Sequence, residues 1–438
     1  MSAAEIVLTA PWIIPIRPSG AVLRDHAIVV RSDRIIDVLP QCEVQSKYPE
    51  FLVEHFASHA LIPGLVNAHT HAAMNLLRGI ADDRPLMDWL NNHIWPLEKM
   101  WVGEEFVQDG VDLAIAEMLR GGVTSFNDMY FFPEVTSRRA IHSGIRAKIG
   151  LIVVDFPTSW ARNPEEYFTK GLAVKDDYQH HPNLSFAFAP HAPYTVSDEP
   201  LSRIGTLAHE MDIPIHIHLH ETQDEIRQSL EVHGMRPIER LRRLDLLGPQ
   251  LMAVHMTQLE DDEIALILES GVSVIHCPES NLKLGSGFCP VSRLLKEGIN
   301  IGLGTDGAAS NNDLDLFGEM RTAALLAKGL TGDASTVPAE SALEMATLGG
   351  AKALGLDDKT GSLESGKLAD ITAIRLDLIE TQPLFHPISD LVYSASRHQV
   401  TDVWVGGRRL LKARKLTTLD EHDLLMRVEY WRERLSNS

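Results

Sequence analysis

Through the middle of the chain, short runs of bulky apolar residues alternate with longer amphipathic stretches. The apolar runs are Leu61–Ala68, Gly122–Phe126, Ala147–Val154, Ser185–Ala189, Ile213–Leu219, Met252–His255, Val272–His276 and Ile301–Thr305. They have strand length and no polar face. Between them, apolar positions recur at helical spacing over Glu104–Arg120, Pro200–Glu210, Glu225–Val232, Pro237–Leu244, Asp261–Ser270 and Val291–Glu297. Nearly continuous apolar strands belong to parallel sheets covered on both faces. Eight such units predict an α/β fold, a (β/α)8 TIM-like barrel, whose functional side chains sit where strands end.

The two ends of the chain have a different texture. Ile6–Ala10, Ala27–Val30 and Arg34–Leu39 read as short strands, as do Gly366–Ile374 and Val400–Gly407. Together they predict one small β-sandwich domain made from both termini, residues 1–60 and 366–438, flanking a barrel over 61–365. A helix from Glu421 to Leu435 closes the chain.

Composition narrows the function classes. Of 438 residues, 44% are apolar and 23% charged, as in an ordinary soluble domain. Forty Lys and Arg against sixty Asp and Glu give a formal net charge of −20, which argues against nucleic acid or anionic membrane as partner. Cys42, Cys277 and Cys289 form no Cys-x-x-Cys pair, so neither a thiolate zinc site nor a disulfide framework is expected. No basic-then-apolar leader or long apolar span is evident, and the expected location is the cytoplasm.

The chemistry gathers at strand ends. His69 and His71 are two apart on a strand, so both rings reach one side and could share an ion; alone, such a pair fits packed histidines equally well. His216, His218 and His220 also share a face, and a single ion needs one or two of them. His218 with Glu221 spans the step from strand to loop, whereas His216 and His220 read as structural. Asp306 follows a fully apolar strand. An ionised carboxylate there is costly unless paired or bound to a cation, the alternative being a helix cap for the segment after it. His255 ends another strand and could ligate an ion or hydrogen-bond a water or leaving group. His191 ends a further one, either functional or a turn residue, and His276 reads as a packed core histidine. Imidazole and carboxylate donors suit zinc or iron, and manganese is compatible. Neither a Gly-x-Ser-x-Gly elbow nor a P-loop is present, so serine nucleophiles and P-loop phosphate cradles have no support.

Five stretches carry a resemblance: Pro63-Gly64-Leu65-Val66-Asn67-Ala68-His69-Thr70-His71, Trp95-Pro96-Leu97-Glu98, Pro190-His191-Ala192-Pro193-Tyr194, Ile217-His218-Leu219-His220-Glu221-Thr222, and Gly304-Thr305-Asp306-Gly307-Ala308-Ala309-Ser310-Asn311-Asn312. With them the chain resembles the amidohydrolase superfamily over nearly its whole length, and more narrowly its 5′-methylthioadenosine/S-adenosylhomocysteine deaminases. The resemblance implies one divalent ion, most often Zn2+ with Fe2+ or Mn2+ as alternatives, on His69, His71, His218 and Asp306. It implies a proton shuttle at Glu221, a water-orienting His255, and Asp306 sharing in catalysis. Glu98 would hold ribose hydroxyls and His191 would contact the purine, with Glu221 and Asp306 also meeting the substrate. Binuclear relatives end the fourth strand with a bridging carboxylated lysine; here His191 stands in that place. The substrate implied is a small nucleoside, deaminated to its inosine-type product, and the assembly implied is a homo-oligomer.

Family members that accept S-adenosylhomocysteine bind its carboxylate with arginines after the third strand. In this chain Arg162 is the candidate, next to apolar Phe156, Pro157 and Trp160. Such surroundings favour a methylthio group over a zwitterion. Guanine deaminases and s-triazine hydrolases share much of the pattern and are rival readings, and Glu98 argues against a free base. A non-catalytic scaffold on the same barrel is a more distant rival, since it would have no use for this set of residues.

Overall fold

A computed structural model describes residues 5–436. Eight parallel strands in sequential order form one sheet: β1 (Leu65–Thr70), β2 (Val123–Asp128), β3 (Arg146–Val153), β4 (Leu184–Pro190), β5 (Ile215–Leu219), β6 (Leu251–His255), β7 (Ser273–His276) and β8 (Ile301–Leu303). They are buried almost throughout, as their unbroken apolar character requires. Between β8 and β1 the sheet closes partly through side chains. The Asp306 amide donates to the His69 carbonyl (3.1 Å), and Asn67 exchanges hydrogen bonds with the Thr305 amide (3.0 Å) and hydroxyl (2.8 Å). Gly304 lies so close to β1 that a Cβ there would meet His69 Cβ at 2.8 Å.

The expected run Leu61–Ala68 divides at Gly64. His59–Pro63 pairs antiparallel with Ile371–Arg375 in the second sheet, and only Leu65 onward enters the barrel. Several helices match the periodic stretches closely, including Glu104–Arg120 and Asp261–Ser270. Pro133–Ser143, Pro164–Tyr178 and Leu316–Thr331 are helical too and complete the outer layer. The first two are rich in polar residues, which blurs their apolar stripe.

The second, nine-stranded sheet joins both ends of the chain into the small β-sandwich domain. Its strand Glu5–Ile13 pairs with three others, so the sheet forks. The faces close over Leu8, Ile13, Ile28, Ile35, Leu61, Ile371 and Trp404. Arg146 in β3 meets Asp370 with two hydrogen bonds (3.1 and 3.2 Å), both side chains buried, and so ties this domain to the barrel. The terminal helix Glu421–Leu435 packs on Glu104–Arg120 through Trp431, whose indole donates to Asp109 (2.9 Å).

Candidate active site

At the C-terminal ends of β1, β5 and β8, four donors converge. One ring nitrogen or carboxylate oxygen from each of His69, His71, His218 and Asp306 lies within 4.8 Å of the others. Asp306 Oδ1 is 3.2 Å from Nε2 of both His69 and His71, and His218 Nε2 is 3.1 Å from His69 Nε2. His71 lies one residue beyond β1, yet its ring still joins that of His69. Asp306 has a left-handed backbone (φ 61°), as do His220 (54°) and His255 (75°). Three strand ends around the site therefore hold backbone that non-glycine residues rarely adopt, which re-aims the side chains there.

These residues fit a cation. The Nδ1 atoms of His71 and His218 face the carbonyls of Met129 (2.6 Å) and His191 (2.7 Å). A carbonyl only accepts, so each Nδ1 carries a proton. The Nε2 of His218 turns its lone pair inward. At His71 burial is outweighed by Asp306, which raises the ring to about 9, so its Nε2 holds a proton that a bound cation would displace. Burial lowers the pKa of His69 to about 4 and that of His218 well below the usual imidazole value, keeping both rings neutral as ligands must be. Burial alone would raise the Asp306 carboxyl, but the His69 and His71 rings hold it well below its usual range. Its Oδ2 accepts from the Ser280 (2.7 Å) and Ser310 (2.8 Å) hydroxyls, leaving Oδ1 to face the rings. Three nitrogens and one oxygen at this spacing are the donor set of a catalytic zinc-type site.

The strand of three histidines resolves by position. His218 joins the ligand cluster. His216 lies deeper, with Nε2 3.0 Å from His69 Nδ1 and Nδ1 3.1 Å from the Asn127 amide. His220 leaves the strand and packs elsewhere, its Nε2 accepting from the Ile238 amide (3.1 Å). His276 is a buried residue of β7 outside the cluster.

Glu221 and His255 stand beside the cluster. Glu221 Oε2 is 3.9 Å from His255 Nε2, and its Oε1 accepts from Ser286 (3.3 Å). Burial, with Asp306 adding to it, raises the Glu221 carboxyl above the ordinary range. His255 Nδ1 donates to Asn281 Oδ1 (2.8 Å), which leaves Nε2 as an acceptor, and its ring stacks on His218. Proline at the start of Pro278–Lys283 helps set that helix, which supplies both Ser280 and Asn281.

A cleft of about 720 Å³, including its open mouth, leads to these groups. Its wall is apolar and aromatic, with Trp89, Trp95, Tyr130, Phe131, Phe156 and Tyr194. Glu98 lies in that wall, accepts from the Tyr130 hydroxyl (2.7 Å), and is pushed by burial up to about 7. His191 lines the cleft as a neutral ring, burial lowering it to about 3, with Nδ1 3.1 Å from the Thr195 hydroxyl.

Arg162 does not join them. Its side chain is 83% exposed, pairs with Glu166 (2.8 Å), and does not line the cleft. Asn163 caps the helix that begins there, Pro164–Tyr178, and places Glu166 in its first turn, within reach of the arginine. Ser280, Asn281, Ser286 and Ser310 were not singled out from the sequence as functional residues. Ser310 lies in the Gly304–Asn312 stretch that drew attention to Asp306, but small polar residues there are equally at home as caps. The aromatic wall left no periodic signal, because it comes from separate loops.

Comparison with known proteins agrees with this geometry. The amidohydrolase family profile matches residues 60–410. A 5-methylthioadenosine/S-adenosylhomocysteine deaminase of Teredinibacter turnerae is 49% identical over 428 residues, 98% of this chain and 97% of that protein. The protein of the same name from Thermodesulfovibrio yellowstonii is 40% identical over 434 residues, 99% of each chain. Among solved structures, an adenosine deaminase from Xanthomonas campestris with bound zinc superposes with a TM-score of 0.97 at 49% identity, covering 99% of each chain. An atrazine chlorohydrolase from Arthrobacter aurescens, at 23% identity and a TM-score of 0.90 over 97% of this chain and 99% of that one, shares the fold. On the profile match and the full-length identity together, this chain belongs to the amidohydrolase family.

Proposed function

We propose that the chain is a metal-dependent hydrolytic deaminase of adenine nucleosides, with 5′-methylthioadenosine preferred and adenosine or S-adenosylhomocysteine as further substrates. The observation that carries the reading is the four-donor cluster with Glu221 and His255 at its side, opening on an aromatic cleft that contains Glu98. The names carried by full-length relatives support the same chemistry.

A divalent cation held by His69, His71, His218 and Asp306 supplies Lewis-acid activation of water at neutral pH. Glu221, whose carboxyl burial raises above its ordinary range, donates a proton to the ring nitrogen next to the amino-bearing carbon and makes that carbon electrophilic. His255 Nε2, free to accept because Nδ1–H is given to Asn281, orients the incoming water. Water adds its oxygen to the carbon, and its first proton passes to the Glu221 carboxylate left by the transfer to the ring nitrogen and on to the amine. The C–N bond breaks, and the remaining hydroxyl proton returns to Glu221. The amine leaves as ammonia with a proton delivered through Glu221, and the inosine-type carbonyl remains. Glu98 takes the ribose hydroxyls and His191 the purine edge.

Among the described residues lining the cleft there is no lysine or arginine. A methylthio group suits that wall, whereas the carboxylate of S-adenosylhomocysteine would lose its hydration without gaining a partner. A cytoplasmic setting and a homo-oligomeric assembly belong to the same proposal, the second on the family resemblance. Ammonia release from the three nucleosides tests the proposal. The highest kcat/KM is expected for 5′-methylthioadenosine. A higher value for S-adenosylhomocysteine would overturn the preference, and no release from any of them would overturn the function.

A further inference from the structure

Glu225 is a buried carboxylate outside the cleft, and both of its oxygens point back at the backbone that carries Glu221. Oε2 accepts from the Glu221 amide (2.7 Å) and Oε1 from the His220 amide (3.0 Å). From the opposite side, the Thr257 hydroxyl donates to the Glu221 carbonyl (2.6 Å), and the Thr257 amide donates to the His220 carbonyl (2.9 Å). The clamped segment includes His220 in its left-handed conformation. Such a turn re-aims the next side chain and persists only where its surroundings hold it. Thr222 caps the helix Gln223–His233 by accepting from the Glu225 amide (3.2 Å), which fixes Glu225 in the first turn below the loop it grips. A glutamate that merely completed a helix cap would need one backbone partner. This one spends both oxygens on two consecutive amides, the second belonging to the proposed proton carrier.

We infer that Glu225 and Thr257 are positioning residues that aim the Glu221 carboxyl at the substrate ring. The inference rests on the proposed deaminase reaction and deepens it. Neither side chain lines the cleft, so each acts through Glu221. Displacing a proton carrier by about 1 Å can cost on the order of 10²-fold in rate, and the loss should fall on kcat.

The test uses the metal-loaded full chain. For Glu225→Gln, whose amide nitrogen must face one of the two N–H groups, kcat is expected to fall roughly 10- to 100-fold, with KM and metal content unchanged. Thr257→Val removes only the hydroxyl and should lower kcat less, in a protein that folds normally. The variant Glu221→Gln combined with Glu225→Gln should be no slower than Glu221→Gln alone, because the aimed group is already disabled. Wild-type kcat in both single variants would overturn the inference. So would a loss that tracks lost metal, or one that multiplies in the double variant. Should Glu225→Gln fail to fold, wild-type kcat in Thr257→Val would overturn it alone. Failure of the functional reading looks different, since the wild-type protein would then release no ammonia from any nucleoside.

Discussion

His216 Nε2 lies 3.0 Å from His69 Nδ1, and both rings are fully buried. His216 Nε2 faces the edge of the His69 ring opposite the nitrogen that joins the cluster, and so sets the orientation of His69. The histidine beneath the cluster supports a ligand without being one.

Replacing His216 with phenylalanine keeps a ring there but removes the nitrogen that faces His69. Metal affinity is expected to fall about 10- to 100-fold. Titration with a competing chelator measures it, and unchanged affinity would mean that packing alone orients His69.

Glu221→Gln keeps the shape of the side chain and loses the transferable proton. Turnover should drop by roughly 10² to 10⁴-fold while the metal stays bound. Full metal content by atomic spectroscopy with a near-normal rate would remove Glu221 from the reaction.

Glu98 gives the site a pH dependence. Its carboxyl is raised to about 7, so it is protonated below that value and ionised above it. An ionised carboxylate accepts more hydrogen bonds from ribose hydroxyls than a protonated one. KM should therefore fall as pH rises through about 7, and Glu98→Gln should flatten the profile. The sign for stability is opposite. The folded state holds this proton more tightly than the unfolded chain, so the contribution of Glu98 to stability is lost as pH rises from the usual glutamate range through about 7.

Arg162 is exposed and paired with Glu166 on the same helix start. Arg162→Ala should leave kcat/KM within about twofold for every nucleoside, since an exposed pair of this kind contributes little. A selective loss with S-adenosylhomocysteine would show that the arginine swings into the cleft when that substrate binds.

The Arg146–Asp370 pair is buried on both sides. Asp370→Ala leaves a buried guanidinium without its partner and should cost about 3–5 kcal/mol. Chemical denaturation measures the loss, and an effect below about 1 kcal/mol would mean that water reaches Arg146.

The fold and the type of site were legible in the sequence because they depend on local pattern. Strand-length apolar runs alternating with helical periodicity can bury their backbone in few ways, and the barrel follows from that constraint. Polar residues such as Asp306, placed where an apolar strand ends, marked the catalytic face for the same reason. Bare spacing could not choose among His216, His218 and His220, because period-two alternation puts all three on one side. Tertiary structure chose, since each sits at a different depth and His220 turns away in a left-handed conformation. The hydroxyls of Ser280 and Ser310 on Asp306, the Tyr130 contact to Glu98 and the distance of Arg162 from the cleft were also decided only in three dimensions. These relations join residues far apart in the chain or depend on how a loop turns, and no local periodicity encodes either.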